Sequence, residues 1–514
     1  MVSPQIDRRI APDRGSACAA LAAGTAQLVW TRIVADTETP VSAMLKLGRE
    51  GSGAFLLESV EGGSVRARYS LLGLEPDLVW RARGNSSEIN RNWRQDQTAF
   101  EPVSGDTLAV LRALVAEARA DVPPELPAVL ACLVGYMGYE TVRLVEPSVP
   151  DAGPSALGLP DMVFVRPTLL LVFDRLKDEL FIVAPIFAAP DSTNDPGAAW
   201  DAAAERIAET ERRLAMALPA HPRPPESLPE ANPRHHTDKS RYAAMVGRAR
   251  DYILAGDIFQ VVLSQRFSMD FPLPAFALYR ALRRINPSPF LYFLDLPGFA
   301  LVGSSPEILV RARGGEVTIR PIAGTRPRGK DAAEDAANRE SLLADPKELS
   351  EHLMLLDLGR HDTARVSVPG TVKVTDKFFV EFYSHVMHIV SNVQGRLADG
   401  VDAVAALLAG FPAGTVSGAP KVRAMQIIAE LEGESRGAYA GGVGYFSPNG
   451  DMDSCIVLRT AVVKDGVMHV QAGAGIVADS VAEYEQRECE AKAGALIAAA
   501  REALAAAGEA RFGQ

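Results

Sequence analysis

The apolar runs of this 514-residue chain come in pairs joined by short polar segments, and that spacing decides which kind of sheet it can build. Ser454–Val463 and Val467–Ile476 are separated only by Lys464-Asp465-Gly466, a sequence suited to a tight hairpin turn. Val163–Phe173 and Leu180–Pro185 flank Asp174–Glu179 in the same way. Strands joined so closely must run antiparallel, because a parallel pair needs a much longer crossover. Further strand-like runs are Ala54–Leu57, Leu78–Arg81, Phe290–Asp295, Ala300–Val302, Ile308–Ala312 and Val317–Ile319. Helical spacing marks Ala198–Ala217, Arg241–Leu254 and Asp345–Gly359. A last helix, opened by Ser480 and Glu483 as a capping box, runs to about Ala507. With hairpins in place of βαβ alternation, the expectation is α+β with antiparallel sheets.

The clearest interruption lies between Leu218 and Asp238, where Pro219, Pro222, Pro224, Pro225, Pro229 and Pro233 exclude a helix or a central strand. Hydrophobic residues make up 47% and charged residues 23%, which suits a buried core and excludes a disordered chain. Acidic residues outnumber basic ones 64 to 53, a net charge of −11. That balance argues against a nucleic-acid partner, which would need a basic footprint. An anionic substrate must then be held by a local cation cluster or a metal. Cys18, Cys132, Cys455 and Cys489 show neither zinc-ligand spacing nor a disulfide framework, which fits a reducing compartment. No apolar segment follows the basic N-terminal residues, and the longest near-apolar run, Ala128–Gly138, is too short to span a bilayer. The expectation is a cytoplasmic protein with no membrane partner.

Two helices carry paired glutamates. Glu348 and Glu351 are three apart, as are Glu485 and Glu488, with Lys492 four beyond Glu488. Each pair shares a helix face, so four carboxylates could meet a hard cation such as Mg2+; a solvated acidic stripe explains the spacing as well. The glycine-rich segments Ala440–Tyr445 and Gln471–Ile476 suit either anion-binding backbone or close strand packing. Gly414–Lys421 lacks the glycine before lysine that a phosphate-binding loop requires. Glu307, at the start of a strand, would have its pKa raised by partial burial and so suit acid catalysis, although a single glutamate is more often structural. His385 and His388 alternate with apolar residues and fit a catalytic or a core role.

Taken in order, the motifs say more than any one of them. They are Asp257–Arg266 (DIFQVVLSQR), Gly303–Glu307 (GSSPE), Pro321–Gly329 (PIAGTRPRG), Glu351–Arg360 (EHLMLLDLGR), Val386–His388 (VMH), Gly414–Lys421 (GTVSGAPK) and Gly473–Gly475 (GAG). Together they resemble the chorismate-utilising enzyme family over Ser240–Ala500. Phe55–Ser59 (FLLES) and Arg68-Tyr69-Ser70 resemble the extra domain of anthranilate synthase component I. The resemblance implies large antiparallel sheets packed as a sandwich with helices outside. It divides the chain into an extension (1–30), a regulatory domain interleaved with the core (31–218), the proline-rich linker (219–238) and a catalytic domain (239–514).

Within that family, members that add water use a lysine where this chain has Gln260, and a neutral amide cannot serve as that base. Members that aminate ring C4 use a nucleophilic lysine where this chain has Ala323. Attack of ammonia at C2 remains. The resemblance thus implies a Mg2+-dependent lyase making anthranilate and pyruvate from chorismate in tryptophan biosynthesis. The alternative is aminodeoxychorismate synthase, of the para-aminobenzoate branch. By the same resemblance Glu351 and Glu488 ligate Mg2+, with Glu348 and Glu485 nearby. Glu307 is the general acid, His388 serves the second step, and Lys492 joins them as a catalytic residue. Gln260, Gly324, Thr325, Thr415, Tyr439, Arg459, Gly473, Ala474 and Gly475 contact substrate, with Arg459 suited to a bidentate carboxylate pair. No cysteine stands in a GxCxG context, so a separate glutamine amidotransferase subunit is implied as ammonia donor, and with it a hetero-oligomer. Glu58, Ser59, Asn286, Pro289, Phe290 and Leu291 match the site where L-tryptophan binds and inhibits, although family members often carry Tyr and Met in place of Phe290 and Leu291.

Overall fold

A computed structural model describes residues 10–61, 65–66, 68–187, 195–219, 229, 232–383 and 386–507. Two sheets of 12 strands each carry the fold, with neighbouring strands antiparallel. In the first, Tyr69–Leu74 and Phe55–Glu58 lead into Phe290–Leu296 and Phe299–Ser305, then Thr460–Lys464, Val467–Ile476 and Gln260–Asp270. In the second, Ile322–Pro327, Val386–Arg396, Glu316–Ile319, Ile308–Arg313, Met452–Ile456 and Gly442–Phe446 continue into Leu133–Met137, Met162–Arg166 and Leu78–Arg83. Both sheets therefore contain strands from either side of the proline-rich stretch: Leu291 pairs with Glu58, and Val443 with Tyr136.

The sheets face each other across one continuous core. It takes Leu56, Leu72 and Leu301 from the first sheet and Trp80, Val163 and Val310 from the second, and Tyr136 meets Phe299 edge-on with centroids 5.9 Å apart. Helices cover the outside. Ala275–Ile285 and Ala482–Ala507 pack on each other and on the first sheet, while Pro346–Ala364 packs on Ile322–Pro327 and Val386–Arg396. The result is the α+β sandwich expected from sequence.

Two apolar runs that read as single strands are each divided. Val163–Phe173 breaks at Pro167-Thr168, with Met162–Arg166 in the second sheet and Leu169–Asp174 in the first. Pro167 cannot donate to a ladder, and Thr168 Oγ1 donates to the Glu75 carbonyl at 2.6 Å. Ser454–Val463 breaks at Val457–Arg459, where Arg459 takes a left-handed φ of 46°. Both runs stay apolar through the break because each half is buried in its own sheet. The last hairpin turns as expected: Lys464 pairs with Val467, leaving Asp465 (φ 51°) and Gly466 (φ 74°) as a two-residue turn. The expected capping box does not form. The final helix begins at Ala482, and Ser480 Oγ accepts from the Val477 N–H at 3.0 Å instead of closing on Glu483.

Of the proline-rich stretch, residues 220–228 and 230–231 lie outside the described residues, and Arg234–His235 form a short strand beside Gln260–Asp270. Residues 1–9 of the N-terminal extension and His385 also lie outside them. The described part of the extension supplies a helix, Arg14–Ala22, bound to the Pro196–Leu214 helix through Arg14 and Asp201. Among the described residues no helix is long and apolar enough to cross a membrane.

Candidate active site

Glu307 and Arg459 both sit where the chain passes from one sheet to the other. Phe299–Ser305 ends in the first sheet and Ile308–Arg313 begins in the second; Met452–Ile456 and Thr460–Lys464 make the reverse crossing. The crossings lie side by side, joined by Ile456 N–H to the Glu307 carbonyl (3.0 Å) and Ser304 N–H to the Arg459 carbonyl (3.1 Å). The sheet break that deprives Arg459 of a strand conformation thus places it beside Glu307's segment.

The Glu307 side chain is buried, with the residue 7% exposed, and Thr415 Oγ1 donates to its Oε1 at 3.0 Å. Burial pushes its carboxyl up to about 8, against the opposing pull of Thr415 and the Ile322 backbone. It is therefore protonated at neutral pH, and with Thr415 on Oε1 its proton belongs on Oε2. Thr415 itself rides on a single 3-10 turn, Gly414–Val416.

His388 lies opposite Thr325 on the Val386–Arg396 strand, where a bulge at Gly324 (φ 79°) turns the Gly324 carbonyl toward the ring. Nδ1 is 3.1 Å from that carbonyl and 3.0 Å from Thr325 Oγ1. A carbonyl only accepts, so Nδ1 carries the hydrogen and Nε2 keeps a lone pair. Burial, reinforced by the charges of Arg459 and Lys492, lowers this histidine to about 4, so it is neutral at physiological pH. A protonated carboxyl and a neutral imidazole both lie near Tyr383, whose ring is 5.3 Å from that of His388 and whose phenol is raised in part by Glu307. Arg459 has no anionic partner among the described residues, and burial lowers its pKa. Lys492 Nζ donates to the Gly473 carbonyl at 2.9 Å and pairs with Glu488 at 2.7 Å.

The two helices that carry the glutamate pairs are tied at their starts by Lys347–Asp479 (2.9 Å), and Glu488 of one acts on Glu351 of the other. Glu348 is held by Arg326 at 3.0 Å. Burial, with Glu348 and then Glu488, raises Glu351; Glu485 is raised by burial and by Glu488. No three His, Cys, Asp or Glu side chains among the described residues form a ready-made metal cage. The donor chemistry nevertheless fits Mg2+, which takes one or two carboxylates and fills its other positions from water and substrate. Glu351 and Glu485 are carboxylates whose crowding a cation would relieve.

Gln260 Nε2 donates to Glu351 Oε1 at 3.3 Å, while its Oε1 is buried without a hydrogen-bond partner among the described residues. The glycine run beside it serves close packing. A Cβ on Gly475 would lie 2.5 Å from Gln260 Nε2, and one on Gly473 would lie 2.7 Å from the Tyr439 hydroxyl and 2.9 Å from the Leu263 carbonyl. Ala474 between them is fully buried, and Tyr439 is buried with its phenol raised by that burial. Lys421, last residue of the GTVSGAPK segment, is buried against Asp362 at 2.7 Å.

The structure also gathers Glu58, Ser59, Asn286, Pro289, Phe290 and Leu291 around the start of one strand, with Leu291 paired to both Glu58 and Ser304. Asn286 Nδ2 donates to Ser304 Oγ at 3.3 Å, so Ser304 links this group to the Arg459 crossing. Ser59 is half-buried, but the Glu58 carboxylate is already enclosed. It accepts from Tyr279 (2.7 Å), from Arg283 Nη2 (3.0 Å) and Nε, and from Arg175.

Tyr383 escaped the sequence reading. It is buried, its ring lies 5.3 Å from that of His388, and its phenol donates to Glu381 at 2.9 Å. Its signal was only its place five residues before a candidate histidine.

Residues 65–498 match the family described as chorismate binding enzyme. Anthranilate synthase component 1 of Cereibacter sphaeroides is 54% identical over 481 residues, covering 94% of this chain and 96% of that one. That of Thermus thermophilus is 48% identical over 470 residues, covering 91% and 96%. The crystal structure of anthranilate synthase component I from Streptococcus pneumoniae TIGR4 superposes with a TM-score of 0.73 at 36% identity, covering 90% of this chain and 98% of that one. Escherichia coli MenF, a menaquinone-specific isochorismate synthase, shares the fold at a TM-score of 0.67 and 21% identity. The chain belongs to the chorismate binding enzyme family, and within it resembles the anthranilate synthase component 1 proteins.

Proposed function

We propose that this chain is the aminase subunit of an anthranilate synthase, converting chorismate and ammonia to anthranilate, pyruvate and water. The observation that carries the reading is a buried, protonated Glu307 and a neutral His388, both near Tyr383, together with Arg459, which has no anionic partner among the described residues. Ammonia adds at C2 of the ring as the C4 hydroxyl leaves with the Glu307 proton. Loss of the C2 proton toward His388 Nε2 and departure of the enolpyruvyl group then make the ring aromatic. Arg459 supplies the countercharge for a substrate carboxylate, desolvated so that its pair is strong. Gln260 offers a neutral amide where water activation would need a base, and Ala323 offers no nucleophile for C4 amination.

Glu351 and Glu488 would hold Mg2+, with Glu348 and Glu485 close by. When bound, that ion supplies positive charge for the ring carboxylate. Glu488→Gln should raise the Mg2+ concentration needed for half-maximal binding of chorismate about tenfold or more, an effect of the size seen when a metal site is weakened. Unchanged Mg2+ dependence in a binding titration would remove Glu488 from the site. Gly475→Ala should fold, because the atom it strikes is the end of a flexible side chain. It should turn Gln260 away from Glu351 and lower turnover about tenfold; wild-type turnover would show that Gln260 need not be held.

Ammonia would reach the site from glutamine through a separate amidotransferase subunit in a cytoplasmic hetero-oligomer. Tryptophan would bind at Ser59, Asn286, Pro289, Phe290 and Leu291, with Glu58 bracing that site, and feed back on catalysis by reciprocal coupling. If saturating tryptophan leaves chorismate affinity and turnover unchanged, the feedback reading fails. The reaction itself is tested by incubating the chain with chorismate, Mg2+ and ammonium at alkaline pH and resolving the products. Equal anthranilate and pyruvate, abolished by chelation, support the proposal; isochorismate or a C4-aminated product overturns it.

A further inference from the structure

Thr415 must reach Glu307 from a turn of only three residues, Gly414–Val416, so something else has to hold that turn. The neighbouring carbonyl, Val416 O, accepts from Arg436 Nη1 at 2.8 Å. Arg436 Nη2 donates to Val262 O at 2.7 Å, on the strand that begins with Gln260. The remaining donors close on Glu432, Nε at 2.8 Å and Nη2 at 2.6 Å, with side chains 1% and 4% exposed. Glu432 Oε1 also accepts from the Ser264 N–H (2.8 Å) and hydroxyl (2.9 Å). The guanidinium lies over Tyr139, 4.8 Å from its centroid, and Tyr439, 5.5 Å. The backbone N–H groups of Arg436 and Gly437 donate to the two oxygens of Glu140, at 2.7 and 2.9 Å.

One buried side chain thus touches the Thr415 turn, the Gln260 strand, a substrate-pocket tyrosine and a segment N-terminal to the proline-rich stretch. A buried ion pair is weak evidence for stability, since apolar replacements often serve as well. Two donors spent on the carbonyls of neighbouring segments, which the Val262 N–H also joins by donating to Ser417 O at 2.9 Å, are a geometric device. A planar fork of five fixed donors can make such a clamp, and a lysine ammonium cannot. We propose that Arg436 is a positioning residue: it clamps the Val416 and Val262 carbonyls, and so fixes Thr415 on Glu307 and directs the acid's proton. This rests on Glu307 being the general acid. Other groups facing Glu307 are Tyr383 and, across a cavity of about 30 Å³, Arg320 and Asp362, the last paired with Lys421.

The test is the double variant Arg436→Met/Glu432→Gln, which removes both charges and keeps an acceptor for Ser264. Turnover should fall about 10- to 100-fold, with KM for chorismate near wild type. The alkaline limb of the kcat profile should move to higher pH, because the Thr415 donation that favours the carboxylate is loosened. A lowered melting temperature with wild-type kcat and an unmoved limb means the pair is only structural and overturns the proposal. If the double variant does not fold, Arg436→Lys decides on the same readouts, since it keeps the charge beside Glu432 but cannot span both carbonyls. Glu307→Gln is measured alongside. Should it turn over normally, the acid assignment fails and this inference with it. Should it be inactive while both Arg436 variants behave as wild type, only the positioning role is lost.

Discussion

Glu307→Gln is expected to lower kcat by about 10²–10⁴-fold, the usual worth of a positioned general acid, while leaving chorismate affinity nearly intact. The amide has the carboxyl's shape and can still accept from Thr415, so only the transferable proton is lost. Wild-type enzyme should lose activity as pH rises through about 8, where the buried carboxyl ionises. The sign follows from the role: the acid works protonated, and burial lifts its pKa so that it stays so at neutral pH. The residual activity of the variant should not show that alkaline limb. His388, near 4, should produce an opposite limb only in strong acid. A variant with full turnover, or with the limb at 8 still present, would clear Glu307 of the role.

The second large effect is on stability. Glu58→Gln should destabilise the fold by about 3–5 kcal/mol, because it strips two cations of the anion buried between them. Burial alone would raise the Glu58 carboxyl, but Arg283 first, then Tyr279 and Arg175, hold it below the ordinary range. A lowered folded-state pKa means that its contribution is fully present above the unfolded value and lost as pH falls through the folded one. The gap between variant and wild type in a urea titration should therefore be wide at neutral pH and close in acid. Equal stability at neutral pH would show the cluster to be dispensable. The same experiment bears on regulation. If Glu58 braces the effector site from beneath, its variants should lose tryptophan response together with stability, whereas changes at half-buried Ser59 should affect the response alone.

Candidate site residues could be named from the sequence; their mutual arrangement could not. Glu307 and His388 stood in motifs whose order carried the family, but either could have been structural. That both stay neutral comes from burial, with the Thr415 hydroxyl and the Gly324 bulge orienting them, none visible in residue spacing. The glutamate pairs were visible at three-residue intervals, yet only the tertiary structure brings Glu488 of one helix to act on Glu351 of the other. The glycine run Gly473–Gly475 suited anion binding or close packing, and the near contacts with Tyr439 and Gln260 give packing a reason for glycine at both positions. Tyr383 and Arg436 stand close in sequence to His388 and Glu432, but Arg436's hold on the Val416 and Val262 carbonyls joins segments distant in sequence.

By itself the sequence determined the antiparallel character of the sheets, the last hairpin with its tight turn at Lys464–Gly466, and the residues able to carry chemistry. Turn chemistry and alternation act over a few residues, so they are written locally. Only the tertiary structure decided where strands change sheet. Ser454–Val463 and Val163–Phe173 look continuous because burial in either sheet demands the same apolar side chains, so hydrophobicity is blind to the crossing. Yet it is at such crossings, where the backbone leaves one ladder before joining the next, that Glu307 and Arg459 are placed beside each other.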